Sequence, residues 1–347
     1  MKKMILTLIA AAIGTLSTFA QDDCIATLNH GATLTTYTGE DALAQAYNAA
    51  ADGDVITLSP GVFVGIDMNK TITLRGAGYK PMASNGYTST QITGNIYVSI
   101  PTDGTSTFQM EGIDFLKDVR IDSEIMRDVI LTKNKFRGTV KGKGINLKAT
   151  HCIFNTLYTL GYTPYFNTTF NFQSCVIGGA SCDGLVAEGK KMCRIIATNC
   201  VLKYSSNGLP YSKLVNCIII SQSSYSHASP LPETCVAHNC VGINDGYDPN
   251  IFSNLVDPSN VMVDGTGSTA YAAVFKTLKD VYNPSLYETF ELTDAAKTTY
   301  LGEDGTQVGI YGGTAPFTLE PTNPQVTKFV VSSTTQGSQL KVKINVE

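Results

Sequence analysis

The sequence repeats one short pattern five times, as His151-Cys152-Ile153-Phe154, Ser174-Cys175-Val176-Ile177, Asn199-Cys200-Val201-Leu202, Asn216-Cys217-Ile218-Ile219 and Asn239-Cys240-Val241-Gly242. Each copy places a polar residue and a cysteine before apolar positions. Subtracting the numbers of successive cysteines gives spacings of 23, 25, 17 and 23 residues. A unit of about twenty residues that contains a strand and a turn is typical of a solenoid, whose units stack as windings of one coil.

The residue types in this pattern favour a parallel β-helix, which is an all-β fold. Stacked coils lie about 4.8 Å apart, so equivalent residues form columns along the axis. A buried column suits cysteine, which packs as a small apolar side chain. A turn column suits asparagine, which tolerates left-handed backbone, and we expect its amides to bond from coil to coil. His151 occupies the asparagine position in the first copy.

A short helix is predicted upstream of the repeat. Thr38-Gly39-Glu40-Asp41 has the form of a capping box. Apolar residues then recur at helical spacing, at Leu43, Ala46, Tyr47 and Ala50. Beyond Gly53 the pattern changes to short strands, which are Val55-Ile56-Thr57-Leu58, Val62-Phe63-Val64-Gly65 and Thr71-Ile72-Thr73-Leu74.

This region resembles the opening of pectin-lyase-like β-helix proteins. The similarity lies in Asp41-Ala42-Leu43-Ala44-Gln45-Ala46, Gly53-Asp54-Val55-Ile56-Thr57-Leu58-Ser59-Pro60-Gly61-Val62-Phe63 and Lys70-Thr71-Ile72-Thr73-Leu74-Arg75-Gly76-Ala77-Gly78. The resemblance implies a right-handed parallel β-helix with an N-terminal capping helix. It implies no particular activity, because the same opening precedes lyases, hydrolases, adhesins and proteins of unknown role. Near the other end, residues 289–293 and 302–313 are similar to the closing segment of exported β-helix proteins of Bacteroidetes-type bacteria.

The chain is expected to be exported. Lys2 and Lys3 precede an apolar stretch, and Thr18-Phe19-Ala20 places small residues before a cleavage site. We predict a signal peptide at 1–20 and a location in the periplasm, on the cell surface or outside the cell. No other segment reaches the length of a transmembrane helix.

Four parts of the chain follow from these signals. The signal peptide at 1–20 precedes a parallel β-helix with its N-terminal cap at 21–250. A loop-rich C-terminal part of the same domain follows at 251–320. Residues 321–347 form a terminal β-hairpin or tail, with strands predicted at 326–331 and 340–346. We expect the loop-rich part and the hairpin to cover the C-terminal end of the coil.

The charge distribution bears on the ligand. The 25 basic and 29 acidic residues nearly balance, which argues against nucleic acid as a partner. No acidic residue lies between Asp128 and Asp183, whereas that stretch contains Lys133, Lys135, Arg137, Lys141, Lys143 and Lys148. On adjacent coils these residues are expected to form a basic stripe on one face, followed by a loop with Tyr158, Tyr162 and Tyr165. The stripe would hold an anionic polysaccharide, or it is a solvated edge that discourages aggregation.

Two further groups of residues leave alternatives open. The first is acidic and consists of Asp114, Asp118, Asp122, Glu124 and Asp128. Beside Lys133 and Arg137 it would suit a polysaccharide lyase, in which Ca²⁺ neutralises a uronate carboxylate and a basic residue removes the adjacent proton. The second group is the cysteines outside the repeat. Cys182 and Cys193 are the candidates for a disulfide, whereas the repeated cysteines are expected to be buried thiols.

The sequence therefore predicts an exported, monomeric β-helix protein that binds glycan or belongs to the cell envelope. We expect no catalysis, no metal and no other cofactor. One alternative is a polysaccharide lyase acting on uronate-containing chains, for which Ca²⁺ would be the cofactor. The other alternative is a structural or adhesive surface protein.

Overall fold

A computed structural model of the protein describes residues 24–79, 89–103, 106–159, 168–181, 193–204, 209, 211–221, 229–244, 250–265, 268–277, 289–318, 320, 326–331 and 342–346. The predicted signal peptide, Tyr162 and Tyr165 lie outside these residues. The predicted disulfide also lies outside them, because one of its members is Cys182.

The described part of the chain is mostly strand. The helices are α1 (Ala42–Ala49), α2 (Ser268–Val274) and α3 (Asp294–Thr299). The strands are β1 (Ile25–His30), β2 (Thr33–Thr38), β3 (Val55–Leu58), β4 (Gly61–Val64), β5 (Thr73–Arg75), β6 (Thr90–Thr93), β7 (Ile96–Ile100), β8 (Phe108–Glu111), β9 (Asp114–Phe115), β10 (Val119–Thr132), β11 (Lys135–Thr150), β12 (Ile153–Thr159), β13 (Thr168–Gln173), β14 (Val176–Ile177), β15 (Ala180–Ser181), β16 (Cys193–Thr198), β17 (Val201–Tyr204), β18 (Lys213–Val215), β19 (Ile218–Ser221), β20 (Val236–His238), β21 (Val241–Asn244), β22 (Val261–Asp264), β23 (Val326–Val331) and β24 (Val342–Val346).

Strands β3 to β22 wind into a parallel β-solenoid, which confirms the predicted fold class. Long strands β10 and β11 continue around corners and contribute to more than one face. The first face contains β3, β5, β8, the ends of β10 and β11, β13, β16, β18 and β20. The second face contains β4, β6, β9, the start of β11, the start of β12, β14, β17, β19, β21 and β22. The third face contains β7, the start of β10, the middle of β11, the end of β12 and β15.

Aligned apolar side chains fill the interior of the solenoid. On the second face the rings of Phe115, Phe136 and Phe154 stack with centroids 4.9 Å apart at each step. This distance is close to the spacing between parallel strands, because the rings occupy equivalent positions on consecutive coils. Each stacked pair contributes about 0.5–1.5 kcal/mol beyond the burial of its surface.

The repeated cysteines form the predicted interior column, and all five are fully buried and free. Their thiols also satisfy the backbone at the corner. The Cys152 N–H donates to Sγ of Cys175 at 3.4 Å, and the Cys175 N–H donates to Sγ of Cys200 at 3.4 Å. At the two ends of the column an asparagine side chain takes the place of the thiol as acceptor. Oδ1 of Asn134 accepts from Ile113 N and Oδ1 of Asn260 accepts from Cys240 N, each at 3.0 Å.

The residue before each cysteine, together with Lys133 before Asn134, forms the predicted turn column. These residues have left-handed backbone, with φ of 51° at Lys133, 54° at His151, 50° at Ser174, 52° at Asn199, 54° at Asn216 and 49° at Asn239. One part of the prediction is wrong. The Asn216 amide does not bond along the column but accepts, through Oδ1, the Glu303 N–H of the C-terminal segment at 3.2 Å.

The N-terminal end is closed by two elements. Strand β1 pairs with β2 and also with β3, both antiparallel, so the hairpin covers the first strand of the first face. Helix α1 buries Leu43, Ala46 and Tyr47, as predicted. The predicted capping box is wrong, because Thr38 ends β2 and Asp41 occupies the N-cap without a side-chain hydrogen bond.

The prediction that the loop-rich part covers the C-terminal end of the coil is wrong for residues 289–318 and 320, which are here called the strap. They run along the outside of the second face, where Phe290, Val308, Ile310 and Phe317 join an apolar cluster. The strand residues of this cluster point outward from the solenoid and are Ile153, Val176, Val201, Ile218 and Val241. An outward apolar column is stable in water only when another element buries it, and the strap does so.

The terminal hairpin is confirmed, since β23 and β24 pair antiparallel as a separate two-stranded sheet. Across the described residues, none of the helices has the length and apolar character that crossing a membrane requires.

Candidate functional site

The predicted basic stripe does not lie on one face. Lys133 is in the first corner, Lys135 is on the second face and Lys141 and Lys143 are on the third face. Lys148 lies on the first face of the next coil. The reason is geometric, because residues only a few positions apart follow the chain around the axis. Only residues about one repeat apart share a face.

Arg137 and three of the lysines are paired with acids of the preceding coil. The pairs are Arg137 with Asp114, Lys141 with Asp118, Lys143 with Glu124 and Lys148 with Asp128. Their sequence separations are 23, 23, 19 and 20 residues, close to one coil. The acidic and basic segments therefore neutralise each other across two stacked coils. The stretch without acidic residues reflects this register and is not a patch of excess positive charge.

The predicted acidic cluster is also divided by this pairing. Its carboxylates lie on different sides of the coil, and each faces its own basic partner. Among the described residues, no group of three or more His, Cys, Asp or Glu side chains is placed to hold a metal ion.

The third face presents the most distinctive set of outward side chains. Tyr97, Arg120, Lys141 and Tyr158 occupy one column on four consecutive coils, because the strand register aligns each with the next. Two cations are thus bracketed by two aromatic rings. We call these four residues the third-face column.

Arg120 is held against its neighbours in this column. Its guanidinium lies over the Tyr97 ring at 5.0 Å from the centroid, and Nε donates to Asp122 Oδ2 at 2.8 Å. These hydrogen bonds to Asp122 raise the pKa of Arg120 further. Asp122 is buried, whereas the Arg120 side chain is 47% exposed. The buried carboxylate therefore fixes an exposed guanidinium that stays charged at every physiological pH.

Lys141 is oriented in a similar way. Its ammonium lies 3.1 Å from Asp118 Oδ2, and the other oxygen of Asp118 accepts the Thr139 N–H at 2.8 Å. The Thr139 hydrogen bond, followed by that of Lys141, lowers the pKa of Asp118 below its ordinary value. Lys141 donates one of the three hydrogens of its ammonium to this carboxylate.

A second group lies at the corner between the second and third faces. Arg137 donates to both oxygens of Asp114, at 2.9 and 2.6 Å, and Asp114 is only 1% exposed. Lys135 lies beside them on the next coil after Asp114. Burial lowers the pKa of Lys135, the charge of Arg137 lowers it further, and Asp114 opposes both effects.

Of the predicted ligand-binding residues, Lys141 and Lys143 share the third face, Lys135 and Arg137 share the neighbouring corner, and Lys133 is separated from them. Tyr97 and Arg120 were not predicted. The signal that identifies them is the register: stepping back by about one repeat from Lys141 reaches Arg120, and a second step reaches Tyr97. Finding that register from the sequence would require strand boundaries in coils that lack the cysteine pattern.

Comparison with known proteins gives no family assignment for this chain. No protein-family model matches it, and neither a curated protein nor a solved structure is significantly similar to it. The fold is therefore established by its strand pairing alone.

Proposed function

We propose that this is an exported β-helix protein of the pectin-lyase-like superfamily that binds an anionic polysaccharide on its third face without cleaving it. The observation that carries the proposal is the third-face column, in which Arg120 and Lys141 are bracketed by Tyr97 and Tyr158 on consecutive coils. The predicted signal peptide supports export, and the resemblance of the N-terminal region supports the superfamily.

The spacing of the column suits a chain of sugars. Consecutive coils lie about 4.8 Å apart, which is close to the length of one sugar ring in an extended polysaccharide. A chain lying parallel to the axis would place one sugar beside each residue of the column. The tyrosine rings offer faces for stacking, and the two cations can pair with acidic groups on the sugars.

The acidic partners of the column are compatible with this function. They hold Arg120 and Lys141 in defined directions before the ligand arrives, which reduces the ordering cost of binding. The exposed pair of Lys141 and Asp118 contributes only about 0.2–1 kcal/mol, so a ligand carboxylate can compete for Lys141. Arg120 keeps its buried partner Asp122 and offers its remaining N–H donors to the ligand. Binding of this kind is weak at each position and sensitive to salt.

The direct test is binding of polygalacturonate, alginate and chondroitin sulfate by calorimetry at low ionic strength. We expect the combined changes Arg120→Gln and Lys141→Gln to weaken binding about tenfold, because two ion pairs of up to about 1 kcal/mol each are lost. Lys148→Gln is the matched control, since it breaks a similar pair on the first face. Equal affinity in the double variant and the wild type would overturn the proposal. Absence of binding to any glycan would instead favour a structural or adhesive surface protein.

A second candidate, a polysaccharide lyase, is favoured by one observation. The half-buried Lys135 has a lowered pKa beside Arg137, and a basic residue of this kind can remove a proton next to a uronate carboxylate. The carboxylates that such a lyase would use for Ca²⁺ do not converge among the described residues.

Incubation with the same polysaccharides, followed by ultraviolet absorbance of unsaturated products, separates the two functions. We expect no increase in absorbance. An increase that disappears in Lys135→Gln would replace the binding proposal by the lyase.

A further inference from the structure

His151 connects the coil to the strap. It lies in the turn column, where Asn199, Asn216 and Asn239 hold the equivalent position, and it is 9% exposed. Its Nε2 is 3.1 Å from the carbonyl oxygen of Ala315. A carbonyl can only accept, so Nε2 carries the hydrogen in this contact.

The surroundings of the other ring nitrogen, Nδ1, favour the neutral form of His151. In the neutral ring Nδ1 has no hydrogen, and this atom is buried without a hydrogen-bond partner among the described residues. Protonation would therefore place a donor and a positive charge where neither is satisfied. The site therefore favours neutral His151 over the protonated form.

The described surroundings compensate that charge only at Nε2, where the hydrogen bond to the Ala315 carbonyl raises the pKa of His151 against the larger effect of burial. The coil before contributes Lys133, whose ammonium bonds to the carbonyl of Glu320 at 2.7 Å and lowers the pKa of His151 in addition to the larger effect of burial. The coil after contributes the uncharged Ser174, which donates to the same Ala315 carbonyl at 2.7 Å. From the strap, the Phe317 ring meets the imidazole edge-on at 6.0 Å. Glu320, whose carbonyl accepts from Lys133, also carries a carboxylate, and this residue is exposed.

We propose that His151 is a pH-sensitive latch, and that mild acid releases the last part of the strap, residues 313–318 and 320, from the coil. When His151 becomes charged, its position beside Lys133 and the Phe317 ring becomes unfavourable. Lys133 and Ser174 bind the strap at the same point as His151. Because these contacts are adjacent, loss of the His151 contact weakens the attachment of the whole end. Release would uncover the outward apolar residues Ile153 and Val176.

The direction of the effect follows from the two states of the strap. In the released state His151 is exposed and takes up a proton near its ordinary pKa of about 6.5. In the docked state its pKa is lower. The released state therefore binds more protons as the pH falls below about 6.5, so the docked state loses stability there and regains it as the pH rises.

The test is amide hydrogen exchange of the strap in the full-length protein at pH 7.5 and pH 5.0, after correction for the intrinsic exchange rate. We expect protection at 313–318 to fall at least severalfold at the lower pH. Residues 146–150 of the first face are the internal reference, because their protection should not change.

His151→Asn distinguishes the latch from general acid sensitivity. Asparagine occupies the same left-handed position in three later coils, so the variant should fold, and neutral asparagine cannot titrate. We expect the pH dependence at 313–318 to disappear in this variant and to remain in the control His238→Asn. Equal protection at both pH values in the wild type, or an unchanged pH dependence in His151→Asn, would overturn the proposal.

Discussion

At the scale of single residues, the interior cysteines combine packing with hydrogen bonding. Each thiol fills a corner of the coil, and those of Cys175 and Cys200 accept a backbone N–H from the coil before. Burial raises the pKa of these thiols well above the ordinary value, so they remain protonated and can donate to carbonyl oxygens. The Cys200 thiol donates to Thr198 O at 3.2 Å. The asparagines at the two ends of the column can replace cysteine because their amides also accept a backbone N–H and donate to a backbone carbonyl.

A substitution in this column tests the hydrogen-bonding role. Cys200→Ala leaves the buried Cys175 N–H without its acceptor, so we expect a loss of about 1–3 kcal/mol in the free energy of unfolding, measured with urea. Cys24→Ala is the control, because Cys24 is half-buried and lies outside the column. A loss no larger than that of the control would show that the thiols only fill space.

Another residue-scale prediction concerns the last described coil. Asp257 Oδ1 accepts from Ser259 Oγ at 2.7 Å and its other oxygen is 2.6 Å from His238 Nδ1, and these bonds lower the pKa of Asp257 to about 2. The carboxylate stabilises the fold above its unfolded pKa of about 3.9, and the contribution is lost as the pH falls toward 2. We expect Asp257→Asn to lower the melting temperature at pH 7 and the difference from wild type to shrink below pH 3. A constant difference across this range would contradict the assignment.

At the scale of elements, the strap depends on glycines that allow it to approach the turn column. A Cβ at Gly312 would lie 2.6 Å from Nδ2 of Asn199, and one at Gly302 would lie 2.7 Å from the Asn216 amide. A Cβ at Gly309 would lie 2.7 Å from Ile218. The glycines of the predicted closing segment are therefore explained by close packing along the side of the solenoid.

The strap prediction follows from this contact. Gly312→Ala should displace the strap, because the added methyl group would also meet the carbonyl of Gln307. We expect increased binding of a hydrophobic dye and faster proteolysis within 300–320. Gly305→Ala is the control, since a Cβ there meets nothing within 4 Å although its φ of 74° also disfavours alanine. Equal dye binding by the two variants would contradict the packing role.

At the scale of the whole molecule, the sequence predicted the coil because its middle repeats a column every turn. It predicted the capping helix α1, but it did not predict the hairpin of β1 and β2 or the path of the strap. Strand β2 has threonine on both sides and is largely exposed, so it has no apolar alternation, and the strap has no period. The charge pairs of the candidate site were also missed, because pairing across coils depends on the length of each loop.

The N-terminal hairpin has a whole-molecule consequence. Strand β1 covers the edge of β3, and an uncovered edge of a parallel sheet pairs readily with other chains. We expect removal of residues 24–38 to cause concentration-dependent association, seen by light scattering after size-exclusion chromatography. A variant that associates no more than the full-length protein would show that α1 alone protects this end.

The central claim is that the repeated cysteines lie at equivalent positions on consecutive coils, and sulfur anomalous diffraction from a crystal tests it most directly. The account predicts five sulfur peaks in one row with steps of about 4.8 Å, for Cys152, Cys175, Cys200, Cys217 and Cys240. Five peaks scattered through the molecule would contradict the solenoid, and the third-face column would lose its basis with it.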